Sequence, residues 1–274
     1  MLTREEHVFV HKRAYLPEHL PDYVSGISGE EPFIHRNCLC FLGKGHLTFV
    51  GFPLKEEGGP VSSLYESACE RFSPETVSVI APEIWLDSSS IERQPPDSYY
   101  RLDLPLGALE PDLAYMVRRA GRELQVIQGT FGRDHRRLIR EFLKDRALSA
   151  AQHNLFKRIP NYLKKSSTSH LLEARRGKDL VAFTILDTGS ADFGFYLFNL
   201  RSGRDPVPGA SDLLFYEMAG IAQSLGKKAL NLGLGINEGI RRFKEKWGGH
   251  AFLPYASAIL TRKPPELADL AHKL

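Results

Sequence analysis

The chain has 274 residues, of which 42% are hydrophobic and 25% are charged. These values are typical of a globular protein with a substantial core, and the length fits one large domain or two of ordinary size. No run of about 18 uncharged apolar residues occurs, so we predict no transmembrane segment. The charged N-terminal stretch lacks the apolar core of a signal peptide, so we expect a cytoplasmic protein.

The formal net charge of +3 is unevenly distributed. Between Arg118 and Lys165 there are 13 Lys or Arg residues and only 4 Asp or Glu residues. Such an excess is typical of solvated helix faces. It is equally compatible with a surface for phosphates, whether of a nucleotide, a tRNA backbone or an anionic lipid. The sequence therefore excludes neither a tRNA partner nor a peripheral membrane contact.

The N-terminal half alternates strand and helix patterns. In chain order we predict strands over 38–42 and 46–54 joined by a turn at Gly43-Lys44-Gly45, a helix over 62–72 with Ser62 or Ser63 as N-cap, a strand from Thr76 to about Pro82, a polar break over 87–98, and a strand over 99–106.

Three cysteines, Cys38, Cys40 and Cys69, are too few for a disulfide framework. His35 with Cys38 and Cys40 could be imagined as metal ligands. However, CLCFL reads as a strand and no fourth ligand is evident. We therefore predict a buried strand and no metal site.

The C-terminal half opens with three helical segments and continues as mixed strands and helices. We predict helices over 113–124, 134–151 and 153–165, a hairpin of 169–177 and 179–189, a strand over 191–200, a loop over 201–210, a helix over 211–226 with Ser211 as N-cap, a strand over 228–235, a short helix over 236–249 and a final strand over 250–263. This order predicts an α/β fold whose sheet contains antiparallel pairs.

The glycine-rich stretch GLGINEG, residues 233–239, does not have the spacing of a dinucleotide-binding loop. Glu238 occupies the position of the third glycine, and the stretch lies near the end of the chain. On the helix that follows, Ile240, Phe243 and Trp247 form one apolar stripe, and Lys244 lies at its edge. A lysine there can extend to solvent, or it can lean into a cleft at the end of the preceding strand.

A second candidate site is the turn VPGASD before the long helix. Gly209 and Ala210 allow a ligand close to the backbone, and a helix N-terminus offers free N–H groups to an anion. An ordinary capped loop explains the same residues. We expect Asp212 and Glu217 to be exposed helical carboxylates rather than acids or bases of a reaction.

The stretch from Gly209 to Gly249 resembles the closing part of an acyltransferase domain of the GNAT superfamily. It is similar in particular to the tandem-GNAT branch that holds the Fem-type aminoacyltransferases and the catalytic domain of lysyl-phosphatidylglycerol synthases. The shared elements are a small-residue Ser-Asp-x-Leu helix start, a glycine that ends this helix, an N-L-G strand end, and a G-I-x-x-F-K-x-K-W helix.

This resemblance implies GNAT-like mixed sheets flanked by helices, in two tandem domains: a degenerate one over 1–110 and an acyltransferase domain over 111–274. It implies a sheet that splays between the strands at 191–200 and 228–235, with an activated acyl group in the gap. It assigns catalytic roles to Lys244 and Asn231, and phosphate or substrate binding to Arg241 and Lys244. The donor-binding residues that it implies are Phe195, Tyr196, Pro208, Gly209, Ala210, Ser211 and Gly233.

The function implied is transfer of an acyl or aminoacyl group to an amine acceptor. No tightly bound cofactor is implied; the co-substrate is either an acyl-CoA or an aminoacyl-tRNA. The alternative is a catalytically inactive tandem-GNAT module that binds a nucleotide, a lipid headgroup or a protein partner. No general base is evident on the strand at 191–200, and this keeps the alternative open.

Overall fold

The computed structural model describes residues 1–55, 59–87, 89–144 and 146–262. The helices are α1 (Arg4–Arg13), α2 (Pro21–Ser28), α3 (Val61–Phe72), α4 (Pro111–Glu123), α5 (Arg133–Lys144), α6 (Ala150–Lys165), α7 (Ala210–Ser224) and α8 (Glu238–Lys246), with a 3-10 turn at Pro17–His19. The strands are β1 (Glu31–His35), β2 (Cys38–Gly43), β3 (His46–Val50), β4 (Thr76–Ala81), β5 (Ile91–Arg93), β6 (Asp97–Asp103), β7 (Gln125–Gln128), β8 (Ser169–Arg176), β9 (Asp179–Asp187), β10 (Phe193–Arg201), β11 (Ala229–Leu234) and β12 (His250–Thr261).

The chain forms two compact units, and each is assembled from separate segments. Of the described residues, unit 1 holds those within 1–9, 29–98 and 253–262, whereas unit 2 holds those within 10–28 and 99–252. The boundary that we expected after residue 110 does not coincide with this division. The reason lies in strand pairing, because β12 residues 256–261 hydrogen-bond to β4 of unit 1, far from them in sequence.

Unit 1 is a mixed sheet covered by α3. Its strands follow the order β1-β2-β3-β4-β12, and only β3 and β4 run parallel. The predicted hairpin at Gly43-Lys44-Gly45 is confirmed, and Cys38 and Cys40 are fully buried on β2, as predicted for a core strand. Burial raises the pKa of the Cys38 thiol to about 12 and that of the Cys40 thiol as well.

Unit 2 is a six-stranded sheet with the order β6-β11-β10-β9-β8-β7, in which only β10 and β11 run parallel. Neighbouring residues of one strand face opposite sides, so Leu171 and Leu172 of β8 belong to different apolar clusters. One cluster holds α4 and α7, and the other holds α5 and α6. The sheet therefore lies between two helical layers, as the predicted α/β class requires.

Several predicted elements differ from those observed. The helix expected over 134–151 ends at Lys144, and the helix expected over 153–165 begins at Ala150. Ser149 starts α6 with a capping box in which Ser149 and Gln152 bond each other's backbone. The short strands β5 and β7 were missed, since β5 is only three residues long and β7 four. The N-cap of α3 is Pro60, not Ser62 or Ser63, and that of α7 is Gly209, not Ser211.

Within the residues described, no helix has both the length and the apolar character that crossing a bilayer requires.

Candidate active site

The candidate site begins where β10 and β11 separate. The two parallel strands pair at only three positions, the last being Phe195 with Asn231. Beyond this point β10 carries a bulge between Tyr196 and Phe198 in its pairing with β9, which leaves Leu197 as the extra residue. Gly233 on β11 has a φ of +72°, which turns that strand away. The sheet therefore splays between these strands, as the resemblance implied.

Asn231 fixes the point of separation. Its side chain is fully buried, its Nδ2 donates to the Tyr15 carbonyl at 2.8 Å, and its Oδ1 accepts from the Gly233 N–H at 2.8 Å. Both polar groups of the amide are thus engaged, and Asn231 is not among the residues that line the cavity described next. These two hydrogen bonds are typical of a residue that holds the end of a strand in one conformation.

A cavity of about 540 Å³ fills the gap between the strands. Residues 196–199 of β10 form one wall and residues 232–234 of β11 form another. The remaining walls come from five helices (α2, α5, α6, α7 and α8), from β6, from the connection between α5 and α6, and from the 3-10 turn at Pro17–His19. All the residues that line the cavity belong to unit 2. The site is therefore built within a single compact unit.

Lys244 is the cation at the α8 wall of this cavity. It is only 2% exposed, its Nζ donates to the Leu234 carbonyl at 2.5 Å, and the same nitrogen lies 5.3 Å from the centroid of the Tyr100 ring. The predicted apolar stripe of α8 packs beside it: Phe243 and Trp247 lie 5.6 and 4.5 Å from Phe215, between ring centroids. Of the two orientations left open by the sequence, Lys244 adopts the one directed into the cleft.

The turn before α7 is packed rather than open. Gly209 has a φ of +82°, and a Cβ atom there would lie 2.6 Å from the carbonyl oxygen of Met116 on α4. Ala210 is buried, whereas Pro208 is exposed. Ser211 is the residue of this turn that lines the cavity, and its Oγ donates to Asn199 Oδ1 at 3.1 Å.

The first turn of α7 also anchors α8. Asp212 Oδ1 accepts from Trp247 Nε1 at 3.1 Å and from Lys246 Nζ at 2.5 Å. Asp212 is only 6% exposed, so the exposed carboxylate that we expected is wrong for this residue, although Glu217 is exposed as expected. Since Asp212 and Trp247 lie 35 positions apart in the sequence, only the folded chain brings them together.

Glu18 is a residue of the site that no sequence pattern indicated. It lies in the 3-10 turn at Pro17–His19, lines the cavity, and accepts a hydrogen bond from Tyr99 Oη at 2.8 Å. Burial raises the pKa of the Glu18 carboxyl, and the Tyr99 hydrogen bond opposes that rise. A carboxyl with a perturbed pKa in a cleft is typical of functional sites.

The other selected residues lie around or outside this cavity. Tyr196 and Gly233 line it, and burial raises the pKa of the Tyr196 hydroxyl. Phe195 is fully buried beneath it, and Arg241 is an exposed residue of α8 outside its lining. The basic residues between 118 and 165 lie mostly on exposed positions of α4, α5 and α6.

The similarity of this chain to known proteins lies in its fold. No protein-family model matches it, and no curated protein sequence matches it. The C-terminal DUF2156 domain of a protein assigned as a lysylphosphatidylglycerol synthetase from Agrobacterium fabrum has 16% identity and a TM-score of 0.61, over 98% of this chain and 93% of that one. FemX has 12% identity and a TM-score of 0.61, over 93% of this chain and 96% of that one.

A tandem GNAT protein from the clavulanic acid biosynthesis pathway has 11% identity and a TM-score of 0.53, over 84% of this chain and 79% of that one. This chain has a GNAT-like fold. The likeness extends over most of the chain and includes both Fem-type and tandem-GNAT structures, so the predicted fold class is confirmed. At these identities the comparison concerns the GNAT-like fold and not the substrate.

Proposed function

We propose that this protein is an acyltransferase that moves an acyl or aminoacyl group from an activated donor to an amine. The observation that carries the proposal is the cavity between β10 and β11, which opens where the two parallel strands stop pairing. A GNAT-like fold with a cavity at this position is suited to hold an activated carbonyl beside an attacking amine. Positioning of this kind can supply roughly 7–11 kcal/mol of the barrier reduction.

The parts of the site take separate roles in this proposal. The backbone N–H of the bulged residue Leu197 polarises the acyl carbonyl, since a bulge leaves its extra residue outside the strand ladder. Lys244 contributes the positive charge on the opposite wall. Asn231 acts as a positioning residue, because its two hydrogen bonds fix the end of β11.

The donor is either an acyl-CoA or an aminoacyl-tRNA. The donor phosphates would lie at the N-terminus of α7, where Ser211 is the residue of the turn at 208–211 that lines the cavity. The exposed basic residues of α4, α5 and α6 favour a large polyanion such as tRNA. No tightly bound cofactor is part of the proposal.

A donor screen tests the proposal. The full chain is incubated with radiolabelled aminoacyl-tRNA or with an acyl-CoA, in the presence of a panel of primary amines, and amide formation is followed. In parallel, filter binding of tRNA is measured over a salt series, where a tRNA donor predicts affinity that falls steeply with salt. Amide formation with one donor class supports acyl transfer; no amide formation with either class contradicts it.

A further inference from the structure

The carboxylate of Glu18 is the anion that faces the cavity. It accepts hydrogen bonds from two neutral donors, the hydroxyl of Tyr99 and its own backbone N–H. Within the described parts of the chain, none of the ion pairs includes Glu18. Burial without a cationic partner raises the pKa of this carboxyl. The folded chain therefore holds a partly buried carboxylate at the wall of the cavity.

The rest of the wall is largely apolar and includes six further aromatic rings. The rings that line the cavity besides Tyr99 are those of Tyr23, Phe142, Phe156, Tyr196, Phe198 and Phe243. Faces of aromatic rings attract cations as well as apolar groups. The two cations of the wall are already engaged, Lys244 with the Leu234 carbonyl and Arg146 at 4.5 Å from the centroid of the Phe142 ring.

We propose that this cavity binds a primary ammonium group carried on an apolar, ring-sized body, and that Glu18 is the anion that receives the ammonium. The proposal rests on the acyl-transfer function above and specifies its substrate. The ammonium donates to the remaining lone pairs of the Glu18 carboxylate, and the apolar body contacts the aromatic rings of the wall. A charge pair of this kind offsets the desolvation of the carboxylate.

The same contact prepares the amine for attack. One proton passes from the ammonium nitrogen to a carboxylate oxygen of Glu18, which leaves a neutral amine and a neutral carboxylic acid. The raised pKa of Glu18 makes this transfer less unfavourable than it would be to an exposed carboxylate. The titratable groups that line the cavity with Glu18 are Tyr23, Tyr99, Arg146, Tyr196 and Lys244.

Two kinds of substrate carry this chemistry: an acceptor amine, and the α-amino group of an aminoacyl ester. Titration calorimetry with the full chain distinguishes them. The probes are 2-phenylethylamine for the acceptor and phenylalanine methyl ester for the aminoacyl group, with neutral 2-phenylethanol and anionic 3-phenylpropionate as comparators. An ester preferred over the simple amine assigns the cavity to an aminoacyl group; equal or weaker binding of the ester assigns it to an acceptor.

The expected result is binding of the amine at least about tenfold tighter than that of the alcohol, as loss of a charge-assisted hydrogen bond predicts. Glu18→Gln removes this difference and leaves alcohol binding unchanged, whereas Glu217→Gln, an exposed carboxylate of α7, changes neither. Amine affinity also falls as the pH is lowered through the pKa of Glu18. Tyr99→Phe moves that fall to higher pH, because the Tyr99 hydrogen bond lowers this pKa.

The inference is overturned if 3-phenylpropionate binds as tightly as the amine, or if Glu18→Gln binds the amine like the wild type. Its failure differs from failure of acyl transfer. Amine binding that depends on Glu18, together with no turnover of any donor, leaves the ammonium site in place and contradicts the transferase. Amide formation at an unchanged rate in Glu18→Gln supports the transferase and contradicts the ammonium site.

Discussion

Phe195 and Asn231 are the last pair of residues through which β10 and β11 meet, and the cavity starts immediately beyond them. Asn231 determines the path of β11 beyond this pair, because its side chain hydrogen-bonds to the Gly233 N–H and the Tyr15 carbonyl. The shape of the candidate site thus depends on one buried amide.

Replacement of Asn231 by alanine should therefore destabilise the protein. The Tyr15 carbonyl and the Gly233 N–H would each lose a partner, at a cost of about 1–3 kcal/mol per buried group. Urea unfolding followed by circular dichroism measures the change. Asn161→Ala, at an exposed position of α6, is the control and should change the free energy of unfolding by less than about 0.5 kcal/mol. Equal stability of Asn231→Ala and wild type would contradict the role given to the amide.

The two glycines of the α7 region should respond in opposite directions to alanine. Gly209→Ala introduces a Cβ atom 2.6 Å from the Met116 carbonyl oxygen, at a φ of +82°. We expect a loss of about 1–3 kcal/mol from this strain. Gly220→Ala lies within α7 and meets no atom within 4 Å, so it should stabilise by about 0.5–1 kcal/mol. Thermal and urea unfolding of both variants check the pair, and a stable Gly209→Ala would show that the turn is not packed against α4.

The pH dependence of the protein's stability should reflect the environment of Glu18. Its folded pKa lies above the ordinary value of 4.5 because of burial. A raised carboxyl pKa stabilises the fold most below the unfolded pKa, and this contribution is lost as the pH rises through the folded pKa. Glu18→Gln, which cannot ionise, should therefore gain stability relative to wild type as the pH rises above about 4.5. Melting temperatures measured from pH 4 to 8 test this, and a difference that stays constant over the range would contradict it.

Lys244 should matter more for activity than for folding. Lys244→Met keeps most of the side-chain volume and removes the charge from the cavity wall. Loss of one preorganised electrostatic contact should lower the transfer rate roughly 100-fold or more. The free energy of unfolding should stay within about 2 kcal/mol of wild type, since removing a buried charge offsets the lost hydrogen bond.

The control for Lys244 is Lys228→Met, an exposed lysine paired with Asp192 and outside the cavity lining. It should leave both the transfer rate and the stability unchanged. A Lys244→Met variant with the wild-type rate would remove this lysine from the site.

Some elements around the site could be predicted from the sequence, and others could not. The α8 stripe follows from apolar residues repeated at helical spacing, so Phe243 and Trp247 could be placed in advance. The separation of β10 from β11 came from the family resemblance rather than from any periodic pattern.

Glu18 could not be found in this way. It belongs to a short turn with no periodicity, and its partner Tyr99 lies 81 positions away. The contact between Asn231 and Tyr15 spans 216 positions. Contacts of this range depend on how the strands and turns of unit 2 assemble, and a local pattern carries no information about them. The position of this carboxyl at the cavity wall is visible only once the fold is known.

The central claim is that acyl transfer takes place in the cavity between β10 and β11. Ile240 lines this cavity from α8, whereas Ile259 is an exposed residue of β12 in unit 1. The most direct test compares the transfer rates of Ile240→Trp and Ile259→Trp with the donor found in the screen, after urea unfolding has shown both variants to be folded. We expect the transfer rate of Ile240→Trp to fall at least about tenfold, because the indole fills space that the reacting groups need and so displaces them from the geometry of reaction. Ile259→Trp should retain the wild-type rate. A folded Ile240→Trp variant that transfers at the wild-type rate would contradict the claim.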